Sequence, residues 1–174
     1  IDLRTDKNQL MFKAQTVLVA ALRQFLLDNH FIEIHTPKLI GAASESGADV
    51  FEVKYFDRNA YLAQSPQFYK QMAMASGFDR IFEVGPVFRA EKSYTSKHTT
   101  EFTGFDLEFS YINSFRDVMK MEEELLTYAL KAVKEAYGED IQREFGPEVI
   151  VPTTPFPVVK LADLYDALEK EYGY

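Results

Sequence analysis

The sequence predicts an α+β domain built around a mainly antiparallel sheet. Strand-like alternation of apolar and polar residues is concentrated in the middle of the chain, between residues 50 and 112. Helical spacing of apolar residues occurs on either side of that region, from 10 to 26 and from 115 to 136. Because the strands come in hairpins instead of alternating regularly with helices, this order argues against a doubly wound parallel sheet.

Length and composition narrow the class of protein further. The 174 residues, 47% of them hydrophobic, fit one folded domain or one domain with part of a second. The absence of cysteine excludes disulfides, thiolate nucleophiles and cysteine-bound metals. The longest apolar run, Val17–Leu22, is short against the roughly 20 residues of a membrane helix. We therefore expect a cytoplasmic protein without a membrane segment, and its net charge of −8 argues against a general nucleic-acid-binding surface.

Each predicted element follows from a local pattern. Apolar residues three and four apart predict helices, alternation predicts strands, and a residue before proline favours an extended conformation, as at Thr36-Pro37. Ser65-Pro66 predicts a helix start with a hydroxyl cap. In chain order we expect a helix capped by Asp6 with an apolar face from Leu10 to Leu26, strands at Phe31–Ile34, Val50–Tyr55 and Ala60–Gln64, a helix from Ser65 to Gly77, strands at Ile81–Glu91 and Glu101–Ile112, a helix from Ser114 closed by Gly138, and a helix at Leu161–Tyr172.

The two long strands at 81–91 and 101–112 carry the most informative pattern. Each alternates between an apolar and a charged side. If the charged sides fall on the same surface of the sheet they form one polar face, defined by Glu83, Arg89, Glu91, Asp106 and Glu108. The hairpin register decides this and the sequence does not give it, so a solvated surface with ion pairs remains the alternative. The connecting loop adds Lys92, Lys97 and His98, which suit an anionic ligand.

A second set of polar residues lies on the short helix that begins near Ser65. Gln64, Gln67, Lys70 and Gln71 are three or four residues apart and share one side, which fits either a solvated surface or a site. Neither a glycine-rich phosphate loop nor a dinucleotide fingerprint is present, and there is no zinc-helix histidine pair or nucleophile elbow. Any bound ATP would therefore be held by side chains on a sheet.

Two segments resemble the signature motifs of the class II aminoacyl-tRNA synthetases. Phe31–Pro37 (FIEIHTP) is similar to motif 1, and Val87–Glu91 (VFRAE) together with His98–Phe102 (HTTEF) is similar to motif 2. The resemblance extends from Leu10 to about Ala167. It implies a class II synthetase-type antiparallel sheet flanked by helices, here incomplete, with residues 1–174 forming the N-terminal part of the catalytic domain.

Within that class, three further segments resemble the aspartyl-tRNA synthetases of archaeal and eukaryotic-like type. They are Gln64–Gln71 (QSPQFYKQ), Thr103–Glu108 (TGFDLE) and Ala42–Ala48 (AASESGA), the last similar to a mobile loop that closes over aspartate. This resemblance implies activation of L-aspartate with ATP and transfer of the aspartyl group to the 3′ end of tRNA.

The resemblance also implies roles for individual residues. Arg89 is the expected catalytic residue, because it would bridge the α-phosphate and the carboxylate of aspartate. The other expected contacts to aspartate are Glu45, Gln67, Lys70 and Asp106. The expected contacts to ATP, besides Arg89, are Glu91, Lys97, His98, Thr99 and Phe102. A lysine against the substrate side chain would select aspartate over asparagine.

The resemblance also implies partners for the chain, and the sequence departs from the pattern of the family at several points. A homodimer is expected through about Leu10 to Pro37, and Mg²⁺ is expected with its main ligands outside this chain. Motif 3 and the anticodon-binding domain are not in the sequence, so we expect the chain alone to be impaired. Ser46 replaces a usual glycine, and Lys97 a frequent arginine. Two alternatives stay open: an asparagine synthetase on the same scaffold, and a non-catalytic truncated paralogue that acts as a binding module.

Overall fold

The computed structural model describes residues 2–42, 50–91, 95 and 98–173. The predicted mixture of helices and antiparallel strands is confirmed. The elements are α1 (Asp6–Asp28), β1 (Ile32–Glu33), β2 (Leu39–Ile40), β3 (Glu52–Tyr55), β4 (Arg58–Leu62), α2 (Gln67–Ala75), β5 (Arg80–Phe88), β6 (Glu101–Phe109), α3 (Phe115–Phe145) and α4 (Leu161–Tyr172). The contacts within the chain define two compact units, Ile1–Leu22 with Arg116–Tyr174 and Arg23–Phe115.

The unit formed by residues 23–115 contains two three-stranded sheets. In the first, β5 lies between β1 and β6 and pairs parallel with β1 and antiparallel with β6. In the second, β4 lies between β2 and β3 and both pairings are antiparallel. The two-residue strand Leu39–Ile40 was not predicted from the sequence, because two residues are too few to show alternation.

The register of the β5–β6 hairpin brings the two charged sides together. Glu83 stands opposite Asp106, Gly85 opposite Gly104, and Val87 opposite Phe102. Residues that face each other across an antiparallel pair lie on the same surface, so the predicted polar face is formed. The expected apolar surface lies on the other side, where the Phe82 and Phe105 rings stack with centroids 6.0 Å apart.

The long helix α3 ends later than predicted. Gly138 does not close it, and the helix continues to Phe145. A glycine costs only about 1 kcal/mol inside a helix, and the residues that follow support the helix through ion pairs from Arg143 to Asp140 and Glu144. The true end is at Gly146, whose φ of 97° is in the left-handed region and whose N–H donates to the Gln142 carbonyl at 2.9 Å.

The other unit is helical. Its buried apolar side chains come from α1 and α3 and are Leu10, Ala21, Leu125, Ala129 and Val133. The last helix, α4, follows the predicted boundaries and none of its residues is buried. Among the described residues, α1 alone is long and apolar enough to cross a membrane when judged by length and composition only. A helix in the core of a soluble protein passes the same test, so this observation says little by itself.

Candidate active site

Lys70 is the centre of a buried ion-pair cluster on the polar face. Helix α2 packs against β5 and β6 and places this lysine, 3% exposed, over the sheet. The Lys70 Nζ donates to a carboxylate oxygen of Asp106 and lies 3.1 Å from Glu108 Oε2. A buried lysine is stable only when it is paired, and two carboxylates supply that pairing here. Lys70 is therefore not the solvated surface lysine that its helical spacing also allowed.

The start of α2 fixes the position of Lys70 in the first turn of the helix. Pro66 is the N-cap residue, and the Lys70 N–H donates to the Pro66 carbonyl at 2.9 Å in the first turn. The predicted Ser65 hydroxyl does accept a long hydrogen bond, 3.4 Å, from the Gln67 N–H, but the N-cap position falls on Pro66, one residue later than predicted. Gln67, one turn before Lys70, is half-buried. The short helix thus supplies two of the five residues that were expected to contact aspartate, Gln67 and Lys70.

Arg89 and Phe102 form a second group, at the other end of the hairpin. The Arg89 N–H donates to the Thr100 carbonyl at 2.9 Å, which extends the ladder by one pair beyond β5. The guanidinium carbon lies 5.5 Å from the centroid of the Phe102 ring, which is 39% exposed. Arg89 Nε is buried and has no hydrogen-bond partner among the described residues. An unsatisfied guanidinium donor beside an open aromatic ring suits an anionic ligand that carries a planar group.

Two glycines lie between these groups on the polar face. A Cβ built on Gly104 would meet nothing closer than 3.8 Å, whereas one built on Gly85 would lie 3.3 Å from Lys38 Cε. A methyl group at Gly104 would therefore fit in ordinary van der Waals contact with Val87. Phe102 and Asp106 are four residue steps apart, about 13 Å along β6. An aromatic-cationic end and an acidic end thus lie on one face of the hairpin, at a separation that one elongated ligand can span.

The remaining predicted residues are placed as follows. Glu91, His98 and Thr99 are exposed, and the His98 ring hydrogen-bonds the Thr95 hydroxyl. Glu45, Ser46, Lys92 and Lys97 lie outside the described residues. The structure thus brings together Lys70 with Asp106 and Arg89 with Phe102, and it leaves Glu91, His98 and Thr99 at the surface.

Sequence reasoning missed one charged pair on the polar face. Glu83, 2% exposed, accepts hydrogen bonds from the Thr36 N–H at 2.8 Å and the Thr36 hydroxyl at 2.7 Å, and Lys38 Nζ lies 2.8 Å from its Oε1. Burial raises the pKa of Glu83, but the hydrogen bonds from Lys38 and Thr36 outweigh it and leave the pKa below its ordinary value. Lys38 directly follows Thr36-Pro37, but only the pairing of β1 with β5 brings that segment to Glu83.

Three carboxylates of the polar face, Glu83, Asp106 and Glu108, pair with lysines, whereas Glu91 is exposed. Among the residues that the structure describes, no three His, Asp or Glu side chains converge in a way that could hold a metal ion. The residues present do not form a ligand set for Mg²⁺, and we assign no step to that ion.

The fold and the polar face correspond to a class II synthetase catalytic domain, and comparison with known proteins agrees. The family model for class II tRNA synthetases (D, K and N) matches residues 1–173. The chain belongs to this family.

Curated relatives that the chain resembles include aspartate–tRNA ligases. The chain is 45% identical to the aspartate–tRNA(Asp/Asn) ligase of Methanopyrus kandleri, over 99% of the chain and 40% of the relative. It is 49% identical to the aspartate–tRNA(Asp) ligase of Picrophilus torridus, over 82% of the chain and 34% of the relative. The chain thus spans about two fifths or less of these relatives.

One solved structure provides the corresponding comparison of folds. The asparaginyl-tRNA synthetase of Pyrococcus horikoshii, complexed with asparaginyl-adenylate, superposes with a TM-score of 0.89 at 35% identity, over 98% of this chain and 39% of that one. A relative that binds an aminoacyl-adenylate therefore shares the fold described above.

Proposed function

We propose that this chain carries the amino acid and nucleotide pocket of an aspartate–tRNA ligase. In the proposed reaction, L-aspartate and ATP form aspartyl-adenylate and pyrophosphate, and the aspartyl group is then transferred to the 3′ end of tRNA. The observation that carries the proposal is the buried lysine cluster, Lys70 with Asp106 and Glu108, on the same face as Arg89 and Phe102. The named functions of the curated relatives support it.

The acidic end of the pocket fits the amino acid. Lys70 would pair with the side-chain carboxylate of aspartate, and Asp106 would accept hydrogen bonds from its ammonium group. In the structure, Lys70 and Asp106 pair with each other. On binding, this one ion pair would be replaced by two ion pairs to aspartate, one from each residue. Glu108, 3.1 Å from Lys70 Nζ, remains to hold the lysine during that exchange. An asparagine amide would offer Lys70 no charge and would be bound less well.

The other end fits the nucleotide. Phe102 would stack on the adenine, and Arg89, with its buried Nε unsatisfied by the described residues, would bridge the α-phosphate and the α-carboxylate. His98 and Thr99 would contact the phosphates from the surface loop, and Glu91 would contact the nucleotide. Glu45 and Lys97 stay proposals for the lid and the phosphates, because they lie outside the described residues.

The chemistry that follows needs no nucleophile from the protein. An oxygen of the α-carboxylate forms a bond to the α-phosphorus, and the bond from that phosphorus to the pyrophosphate oxygen breaks. Lys70 and Asp106 would hold the amino acid in line, and Arg89 would stabilise the negative charge that develops at phosphorus.

We further propose a cytoplasmic homodimer that associates through about Leu10 to Pro37. Exposed apolar side chains in this region support an interface: Met11, Phe12, Leu27 and Ile32 are each about half exposed. Burial of such groups between two copies would be favourable by roughly 25 cal/mol per Å². The molar mass of the protein in solution, by light scattering, tests the dimer.

A second candidate, asparagine activation or synthesis on the same scaffold, is favoured by one observation. The structural relative bound to asparaginyl-adenylate has the same fold at 35% identity. The two candidates differ in whether the pocket prefers a carboxylate or an amide, and in whether free asparagine or charged tRNA is the product.

ATP–pyrophosphate exchange on the protein that carries this sequence tests the proposal. Exchange that depends on aspartate, together with aspartyl-tRNA formation when tRNA is added, is the expected result. Exchange with asparagine instead, or asparagine released with an ammonia donor and no tRNA, would favour the second candidate. Aspartate binding without exchange would identify a binding module and contradict the proposed activity.

A further inference from the structure

Lys38 is a third cation on the polar face, and no role was predicted for it. Its Nζ is 2.8 Å from Glu83 Oε1 and donates to the Thr36 hydroxyl at 3.0 Å. Its stem passes over Gly85, because a Cβ built there would lie 3.3 Å from Lys38 Cε. The Lys38 carbonyl accepts a hydrogen bond from the Ala63 N–H at 2.9 Å. Both ends of the residue are therefore held in place.

The register of the hairpin explains why a cation is needed there. Glu83 and Asp106 are direct cross-strand partners on the same surface, and like charges in that relationship repel each other. Asp106 and Glu108 already share Lys70. Without Lys38, Glu83 would be a buried carboxylate directly opposite Asp106 with no cation among its described partners. With Lys38 present, the face separates into the pair Lys38–Glu83 and the cluster Lys70–Asp106–Glu108.

We propose that Lys38 is a positioning residue for substrate selection: by pairing with Glu83 it prevents that carboxylate from competing for Lys70, which stays available to the side-chain carboxylate of the substrate. The inference rests on the proposed function and adds Lys38 to the residues that serve it. Lys38 acts through Glu83, since two of its three N–H donors are directed at Glu83 and Thr36. Its contribution should therefore depend on the charge of Glu83.

A charge-deletion cycle tests this dependence. Lys38→Met keeps the length of the side chain and removes its charge, Glu83→Gln removes the competing carboxylate, and the double variant removes both. The readouts are the KM values for aspartate and ATP in ATP–pyrophosphate exchange on the protein that carries this sequence. Lys38→Arg keeps the cation, and Lys54→Met, an exposed site on β3, is the matched control for loss of one positive charge.

We expect Lys38→Met to raise the KM for aspartate about tenfold, with the KM for ATP within about twofold of the wild type. Glu83→Gln and the double variant should stay within about threefold of the wild-type KM for aspartate, and Lys38→Arg and Lys54→Met should behave as the wild type. The double variant leaves no uncompensated charge, because a glutamine can still accept from the Thr36 N–H and donate to its hydroxyl. It therefore carries the test even if Lys38→Met does not fold.

The outcomes are distinct. An unchanged KM for aspartate in a folded Lys38→Met variant overturns this inference alone. A double variant whose KM for aspartate is raised tenfold also overturns it, because the pair would then matter for structure and not for charge. Absence of aspartate-dependent exchange in the wild type would overturn the proposed function, and this inference with it.

Discussion

Glu83 and Asp106 stand directly opposite each other on the central hairpin, yet each pairs with a different lysine. Lys38 reaches Glu83 from the segment before β2, and Lys70 reaches Asp106 from α2. Two like charges that would repel across an isolated hairpin are accommodated because two separate segments each supply a cation. This arrangement divides the polar face into a closed pair and a cluster that can exchange partners with a ligand.

Replacing Lys70 should remove aspartate binding. For Lys70→Ala we expect a loss of about 2–5 kcal/mol in binding free energy, at least roughly 30-fold in affinity, because Asp106 and Glu108 lose their only cation among the described contacts. Calorimetric titration with aspartate measures this. The fold should persist by circular dichroism, since both carboxylates keep partial access to solvent. Unchanged aspartate affinity would contradict the assignment, and Lys54→Ala is the matched control.

Phe102 should contribute to nucleotide binding and not to amino acid binding. Stacking of a base on an aromatic ring is worth about 1–3 kcal/mol, so Phe102→Ala should raise the KM for ATP roughly 5- to 150-fold. The KM for aspartate should change less than about twofold, because Phe102 lies about 13 Å along the strand from Asp106. Phe102→Tyr, which keeps the ring, is the control. An equal rise in both KM values would show instead that Phe102 supports the fold of the hairpin.

The lack of a side chain at Gly104 should be needed for ligand binding. A Cβ there meets nothing closer than 3.8 Å, so Gly104→Ala should leave the melting temperature within a few degrees of the wild type. A branched side chain would occupy the space between Phe102 and Asp106, and we expect Gly104→Val to reduce exchange activity at least about tenfold. Thermal unfolding and exchange kinetics measure the two effects separately. Full activity in a folded Gly104→Val variant would place the ligand elsewhere.

Glu83 should make the stability of the folded protein depend on pH. In the folded state its pKa lies below the ordinary value of about 4.5. Its contribution to the free energy of unfolding is therefore complete at pH values above 4.5 and is lost as the pH falls through the folded-state pKa. We expect the urea midpoint of the wild type to fall between pH 6 and pH 3 by more than that of Glu83→Gln, which cannot titrate at this position. If the urea midpoints of the two proteins fell by the same amount over this pH range, that result would contradict this role of Glu83.

Local patterns in the sequence were sufficient for most elements. Alternation in β6 predicted which residues are apolar and which are charged, and the spacing of Leu161–Tyr172 predicted α4. The end of α3 differs from the prediction: Gly138 was predicted to close the helix, but a glycine inside a helix costs only about 1 kcal/mol and α3 continues to Phe145. The charged candidates Lys70, Arg89 and Asp106 were also identified before the fold was known.

What only the tertiary structure decided is which of those charges meet. Alternation is a property of one strand, whereas register is set by pairing between strands, and a slip of one residue would have put Asp106 on the opposite surface from Glu83. The pair Lys38–Glu83 depends on β1 lying beside β5, a contact between segments far apart in the chain. Sequence determined the chemical groups and their local faces because those depend on neighbours in the chain; the site itself depends on non-local packing, which brings a lysine of α2 over a carboxylate of β6.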